Sequence, residues 1–339
     1  MLFCQYLCAF VLALVLCVQG AGEAKAASQN TLKIALFLED TQDAGYADVL
    51  KSGLAQAEKN YGARYDIILS PNPAKHESDF LRIATAGYDL VIVPTIAFHT
   101  LLINNAGNFP QTRFAAINTQ IKAPNVLSFT FADAEGAFLA GAAAALLMRE
   151  QDPTAAADTQ KIAWVGGPDI PQSQGYLAGY RQGAKYIAPE MRVITVFTES
   201  FSDAAAGRSA AASLYTNGVG IIMHAGGRTG LGVIQAAKEA QRYAIGLISD
   251  QSDLAPNVIF SLEKHVDKAV LAAVQAVREG SFVGGNLVSF TLANGGLSLS
   301  RNPHLSSALS TRLDQISKDI QHKKITVNSG AGKGLCNCL

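Results

Sequence analysis

Leu90-Val91-Ile92-Val93-Pro94 is a continuously apolar run closed by a proline, and Gly220-Ile221-Ile222-Met223-His224 has the same character in the second half of the chain. A strand with one wet face alternates apolar and polar residues, whereas a strand apolar at every position has both faces covered. Helices lying on both sides of a parallel sheet produce that pattern. Working outward, similar short runs stand at 32–38, 65–69, 114–118 and 126–131, then at 162–166, 192–197, 243–248 and 258–262. Longer amphipathic or alanine-rich stretches separate them, at 46–60, 133–149, 174–187, 204–217, 229–241 and 266–279, with a terminal one at 303–324. Strand and helix in alternation predict a doubly wound α/β architecture. The polar break Gln151-Asp152-Pro153-Thr154 divides the strands about evenly, which predicts two similar lobes.

The chain has 339 residues, comfortable for two lobes, with 49% hydrophobic and 16% charged residues. Lys plus Arg and Asp plus Glu each number 27, so the formal charge is zero. A neutral balance argues against a nucleic-acid partner, which demands a basic face to displace counterions. From Leu2 to Val18 the sequence is almost wholly apolar, and Ala24-Lys25-Ala26 follows it. An apolar segment before an A-x-A site reads as a secretory leader, residues 1–26, and places the mature protein in the periplasm. No Lys or Arg precedes the apolar run, so a retained membrane anchor stays open, as does lipid attachment at Cys17. Cys336 and Cys338 sit in a Gly-rich tail without a neighbouring His or Cys to complete a metal site.

In doubly wound sheets the ligand sits at the carboxyl ends of strands, in the loops entering the next helix. After the first strand comes Glu39-Asp40-Thr41-Gln42-Asp43-Ala44-Gly45-Tyr46, with no Gly-x-Gly-x-x-Gly fingerprint. Glu199-Ser200-Phe201-Ser202-Asp203 occupies the equivalent place in the second half. Tyr46 and Phe201, one per lobe, can clamp a flat ligand, and stacking is worth about 1–3 kcal/mol per ring. Ala225-Gly226-Gly227-Arg228 brings backbone close to whatever fills the cleft. The six histidines are scattered and no Gly-x-Ser-x-Gly elbow appears, so no catalytic residue, metal or cofactor is expected. His224 ends a buried strand and reads as a satisfied hydrogen-bonding histidine rather than a base.

Several motifs in order resemble one family. Phe114-Ala115-Ala116-Ile117-Asn118, Glu135-Gly136-Ala137-Phe138-Leu139-Ala140-Gly141 and Val165-Gly166-Gly167-Pro168-Asp169 are followed by Thr229-Gly230-Leu231-Gly232, Ser249-Asp250-Gln251 and Lys264-His265-Val266-Asp267. Together they are similar to the basic membrane protein family, the periplasmic or lipid-anchored substrate-binding components of ABC transporters that include purine nucleoside receptors. The resemblance implies a type I periplasmic-binding fold of two Rossmann-like lobes joined by crossover hinge strands. It divides the chain into a first lobe at 27–131 with part of 259–285, a second at 132–258 with part of 286–325, and a flexible tail at 326–339. It implies a purine held between Tyr46 and Phe201, with acids and a lysine on its edges. The ligand set is then Tyr46, Phe201, Asn118, Asp250, Lys264, Arg228, Asp43 and Gly227.

Departures from the family pattern bear on the ligand. Asn118 stands where the family has Asp, Ile248 stands where it has another Asp, and Arg228 replaces a Gly. An isoleucine cannot accept ribose hydroxyls, and each buried group left unpaired costs about 1–3 kcal/mol. The expectation is therefore a planar ligand with a weakened sugar requirement: a purine base, a nucleoside, a related heterocycle or another aromatic metabolite. The implied partner is an ABC permease, with the receptor acting as a monomer by hinge closure. A ligand sensor presenting to a membrane partner, or an exported nucleoside hydrolase, are the alternatives.

Overall fold

A computed structural model describes residues 31–40, 45–150, 158 and 160–330. The leader, Asp43, Cys336 and Cys338 lie outside the described residues. In chain order the elements are β1 (Lys33–Leu38), α1 (Tyr46–Tyr61), β2 (Arg64–Leu69), α2 (His76–Ala84), β3 (Leu90–Val93), α3 (His99–Asn105), β4 (Arg113–Ile117) and β5 (Val126–Phe131). There follow α4 (Asp133–Glu150), β6 (Lys161–Gly166), α5 (Pro171–Ile187), β7 (Arg192–Phe197), α6 (Ala204–Thr216), β8 (Ile221–Ala225), α7 (Arg228–Ala240) and β9 (Tyr243–Ile248). The chain ends with β10 (Val258–Lys264), α8 (Val266–Arg278), β11 (Leu287–Phe290), β12 (Leu297–Arg301) and α9 (Ser307–Gln321). No helix among the described residues is long and apolar enough to cross a membrane.

The strands form two six-stranded sheets, ordered β2-β1-β3-β4-β5-β11 and β7-β6-β8-β9-β10-β12. Neighbours are parallel throughout, except that β12 runs antiparallel to β10. Both sheets belong to one compact unit that begins at Leu32. Each is doubly wound, as the apolar runs require. In β3, Leu90 and Ile92 enter a core with Leu50 and Leu54 of α1 and Val266 and Val270 of α8. Val91 and Val93 enter the core on the other face, with Phe80 of α2 and Leu102 of α3. In β8, Ile221 and Met223 pack on the α4–α5 side and Ile222 on the α6–α7 side. Each fully buried side chain of this size contributes about 1.5–3 kcal/mol.

The alanine-rich α4 lies unusually close to α5. A β-carbon on Gly141 would run into the Tyr180 carbonyl, and one on Gly183 into that of Phe138.

The chain passes between the sheets at 131–133, 264–266 and 290–297, so three segments join the lobes, which is the type I periplasmic-binding arrangement. Of 259–285, α8 packs in the first lobe while β10 belongs to the second sheet. Of 286–325, β12 and α9 belong to the second lobe while β11 edges the first sheet. The start of the tail is held down: Ile325 and Val327 pack on the core, and Asn328 N–H donates to Gln182 Oε1 at 2.9 Å.

Candidate ligand-binding cleft

Because β1 lies between β2 and β3, and β6 between β7 and β8, the loops at their carboxyl ends diverge and leave a crevice in each sheet. The two crevices share one cleft of about 530 Å³. Glu39 and Asp40 after β1, Pro94 to Ile96 after β3 and Asn118 after β4 line it from the first lobe. Pro168 after β6, the 199–202 loop after β7, Gly227 and Arg228 after β8, and Leu247 and Ile248 of β9 line it from the second. Gln172, Ser173 and Tyr176 of α5 complete the wall.

Tyr46 is the first residue of α1, set by Gly45 in the left-handed region (φ 98°). Its hydroxyl donates to the Pro94 carbonyl at 3.3 Å and accepts from Asn118 Nδ2 at 2.8 Å. The hydroxyl end of the ring is thereby fixed. Asn118 itself is left-handed (φ 68°), a conformation Asn tolerates better than most residues. Its Oδ1 is buried and has no hydrogen-bond partner.

Phe201 is 40% exposed on the opposite wall. Thr229 pins its loop: the Thr229 hydroxyl donates to the Ser200 carbonyl at 2.8 Å and accepts from Asp203 N–H at 3.0 Å, and its amide donates to the Phe201 carbonyl at 3.3 Å. Asp203 then caps α6 through Ala206 N–H at 2.9 Å. Gly167 lets the Phe201 ring come close, since a β-carbon there would sit 2.5 Å from it. Gly227 (φ 55°, ψ −128°) occupies backbone space that a side chain would strain.

Five of the eight sequence candidates therefore share the cleft: Tyr46, Asn118, Phe201, Gly227 and Arg228. Two do not reach it. Lys264 is the last residue of β10 and only 1% exposed; its Nζ donates to Asp133 Oδ2 at 2.9 Å and to Tyr176 Oη at 3.4 Å, and lies 4.8 Å from the Phe131 ring centroid. Burial lowers the Lys264 pKa, with Asp133 opposing that shift. Asp250 lies beyond the end of β9, exposed, and accepts from Ser252 N–H at 3.0 Å in a turn.

Sequence reasoning passed over Tyr176 and Asp133. Tyr176 lines the cleft and its hydroxyl donates to Asp133 Oδ1 at 2.9 Å; burial first, then the Asp133 charge, raise its pKa far above normal. The available signal was position: Tyr176 falls in the second turn of the helix that follows β6, at the cleft end. His224 is buried, its Nε2 2.8 Å from Gln251 Oε1, and does not line the cleft. Among the described residues no three His, Cys, Asp or Glu side chains gather closely enough to hold a metal ion.

Residues 31–330 match the family described as "ABC transporter substrate-binding protein PnrA-like". Basic membrane protein A of Borreliella burgdorferi is 31% identical over 309 residues, covering 88% of each chain. The ABC transporter nucleoside-binding protein BmpA of Lactococcus lactis is 31% identical over 290 residues, covering 79% of each. A crystal structure of an ABC transporter system solute-binding protein from Aeropyrum pernix superposes with a TM-score of 0.79 at 23% identity, covering 89% of this chain and 94% of the other, a likeness of fold. Motif order, doubly wound sheets and these matches lead to one conclusion: the chain belongs to the PnrA-like, or basic membrane protein, family of ABC transporter substrate-binding proteins.

Proposed function

We propose that the protein captures a planar small molecule outside the cytoplasm, between the rings of Tyr46 and Phe201, and delivers it to an ABC permease by closing and opening its lobes. The observation that carries this reading is the placement of one anchored aromatic on each wall of a single cleft, at the carboxyl ends of both sheets. A volume of about 530 Å³ suits a mono- or bicyclic ring system with modest substituents. The nucleoside-binding relative from Lactococcus lactis supports a purine-like ring. Ile248, half-buried in the wall where the family has an acid, supports a reduced demand for ribose.

The test is a thermal-shift screen over nucleobases, nucleosides and other flat heterocycles, since ligand binding to the native state raises the melting temperature by mass action. Tyr46→Ala and Phe201→Ala are each expected to weaken binding of the best compound by about tenfold or more. Unchanged affinity in both variants removes the clamp. Strong stabilisation by nucleosides and none by bare bases overturns the argument from Ile248.

A further inference from the structure

Arg228 begins α7 at the carboxyl end of β8, half-buried in the cleft wall, and makes no hydrogen bond or ion pair with any described residue. Four other arginines of the same lobe, Arg149, Arg192, Arg208 and Arg301, each hold a carboxylate at 2.6–3.0 Å, whereas Arg242 and Arg312, like Arg228, hold none among the described residues but stand outside the cleft. Glu199, on the neighbouring loop, lines the same wall yet forms no ion pair with Arg228. A guanidinium drawn partly out of water without an anion is unfavourable, and its planar fork matches a carboxylate or phosphate. The facing wall has the opposite chemistry. Asn118 donates one Nδ2 hydrogen to the Tyr46 hydroxyl at 2.8 Å, and its Oδ1 is buried and unpartnered. Glu39 and Asp40 add carboxylates to that wall. The first lobe thus presents acceptors and the second a cationic donor.

We propose that Arg228 is an anion subsite, taking the carboxylate or phosphate of a planar heterocycle whose opposite edge carries N–H donors for Asn118. This rests on the reading that a flat ligand lies between Tyr46 and Phe201, and it narrows the ligand to a polarised, anionic one. Neutral bases and nucleosides then fill only part of the site.

Isothermal titration of the purified protein with matched pairs tests this: uracil against orotate, nicotinamide against nicotinate, and guanosine against guanosine 5′-monophosphate. The acid is expected to bind at least about tenfold tighter than its neutral partner in one or more pairs, a preference that added salt reduces. The first two pairs report on a carboxylate and the third on a phosphate. Arg228→Gln is expected to abolish the preference, lowering the affinity of the acid by about tenfold more than that of its neutral partner. A wild-type protein that binds the neutral member as well or better in every pair overturns the anion subsite, and so does a preference that survives Arg228→Gln. If neutral members bind in a Tyr46- and Phe201-dependent way with no preference for acids, only the anion subsite falls. Silence across the whole panel overturns both the subsite and the clamp.

Discussion

His224 is held in one tautomer by its neighbours. Gln251 Oε1 accepts from Leu247 N–H at 3.1 Å, so it is the carbonyl oxygen, and His224 Nε2 at 2.8 Å must donate to it. Nδ1 is left bare and without a partner in the buried ring. Burial pushes the His224 pKa down to about 4, and burial does the same to His99. In the unfolded chain the imidazole takes up its proton near 6.5, before the folded one does, so the unfolded state binds more protons between those values. Stability is therefore complete above about pH 6.5 and falls as the pH drops toward about 4, by roughly 3 kcal/mol for His224 alone. Urea midpoints at pH 7 and pH 5 should show the loss, and His224→Gln, whose amide can still donate to Gln251, should reduce it by about half, His99 keeping the remainder. A variant with the wild-type pH slope excludes His224 as the titrating group. At this scale the places of Tyr46 and Phe201 in the cleft were legible, because both stand on strand-to-helix loops. The left-handed backbone at Glu199 (φ 56°) and Ile248 (φ 83°) was not. Neither side chain favours that conformation, so only surrounding structure imposes it.

Elements were read best where burial was symmetric. The runs of β3 and β8 stand out in sequence because each feeds two cores, and their bounds shift by only a residue or so. β11 and β12 escaped notice for the opposite reason. Leu287 and Val288 of β11 are 40% and 37% exposed, and a four-residue edge strand with one buried side chain leaves no periodic trace. Seven-residue α3 likewise lacks enough turns to show a stripe. The α4–α5 contact is a case where composition carried information that periodicity did not. Small residues cover α4 nearly all round because another helix backbone lies against it. Gly183→Ala should therefore destabilise the protein by about 1–3 kcal/mol through overpacking, although alanine is the better helix former. A lower urea midpoint with an unchanged denaturant slope would show this. A midpoint equal to or above wild type would mean the helices can separate without loss.

The lobes can rotate only by changing backbone angles in the three joining segments. All three meet at the first turn of α4. Asp133, at the end of the first crossing, holds Lys264, at the start of the second. Glu135 Oε2 accepts from Leu292 N–H at 3.2 Å on the third. Sequence could not pair Lys264 with Asp133, because they lie 131 residues apart, and family resemblance assigned the lysine to the ligand instead. The two roles are separable. Lys264→Met alone leaves Asp133, whose side chain is 14% exposed, without its cation and should cost about 3–5 kcal/mol. Adding Asp133→Asn removes the stranded charge while its Oδ1 still accepts from Tyr176, so the double variant should regain most of that stability. If the pair serves the hinge, the double variant binds the best ligand of the thermal-shift screen with wild-type affinity, because Tyr46 and Phe201 are undisturbed and Tyr176, though it loses the Lys264 contact, keeps an acceptor at residue 133. Restored stability with affinity still lost would instead return Lys264 to the ligand, reached through a rearrangement on closure that frees its Nζ from Asp133.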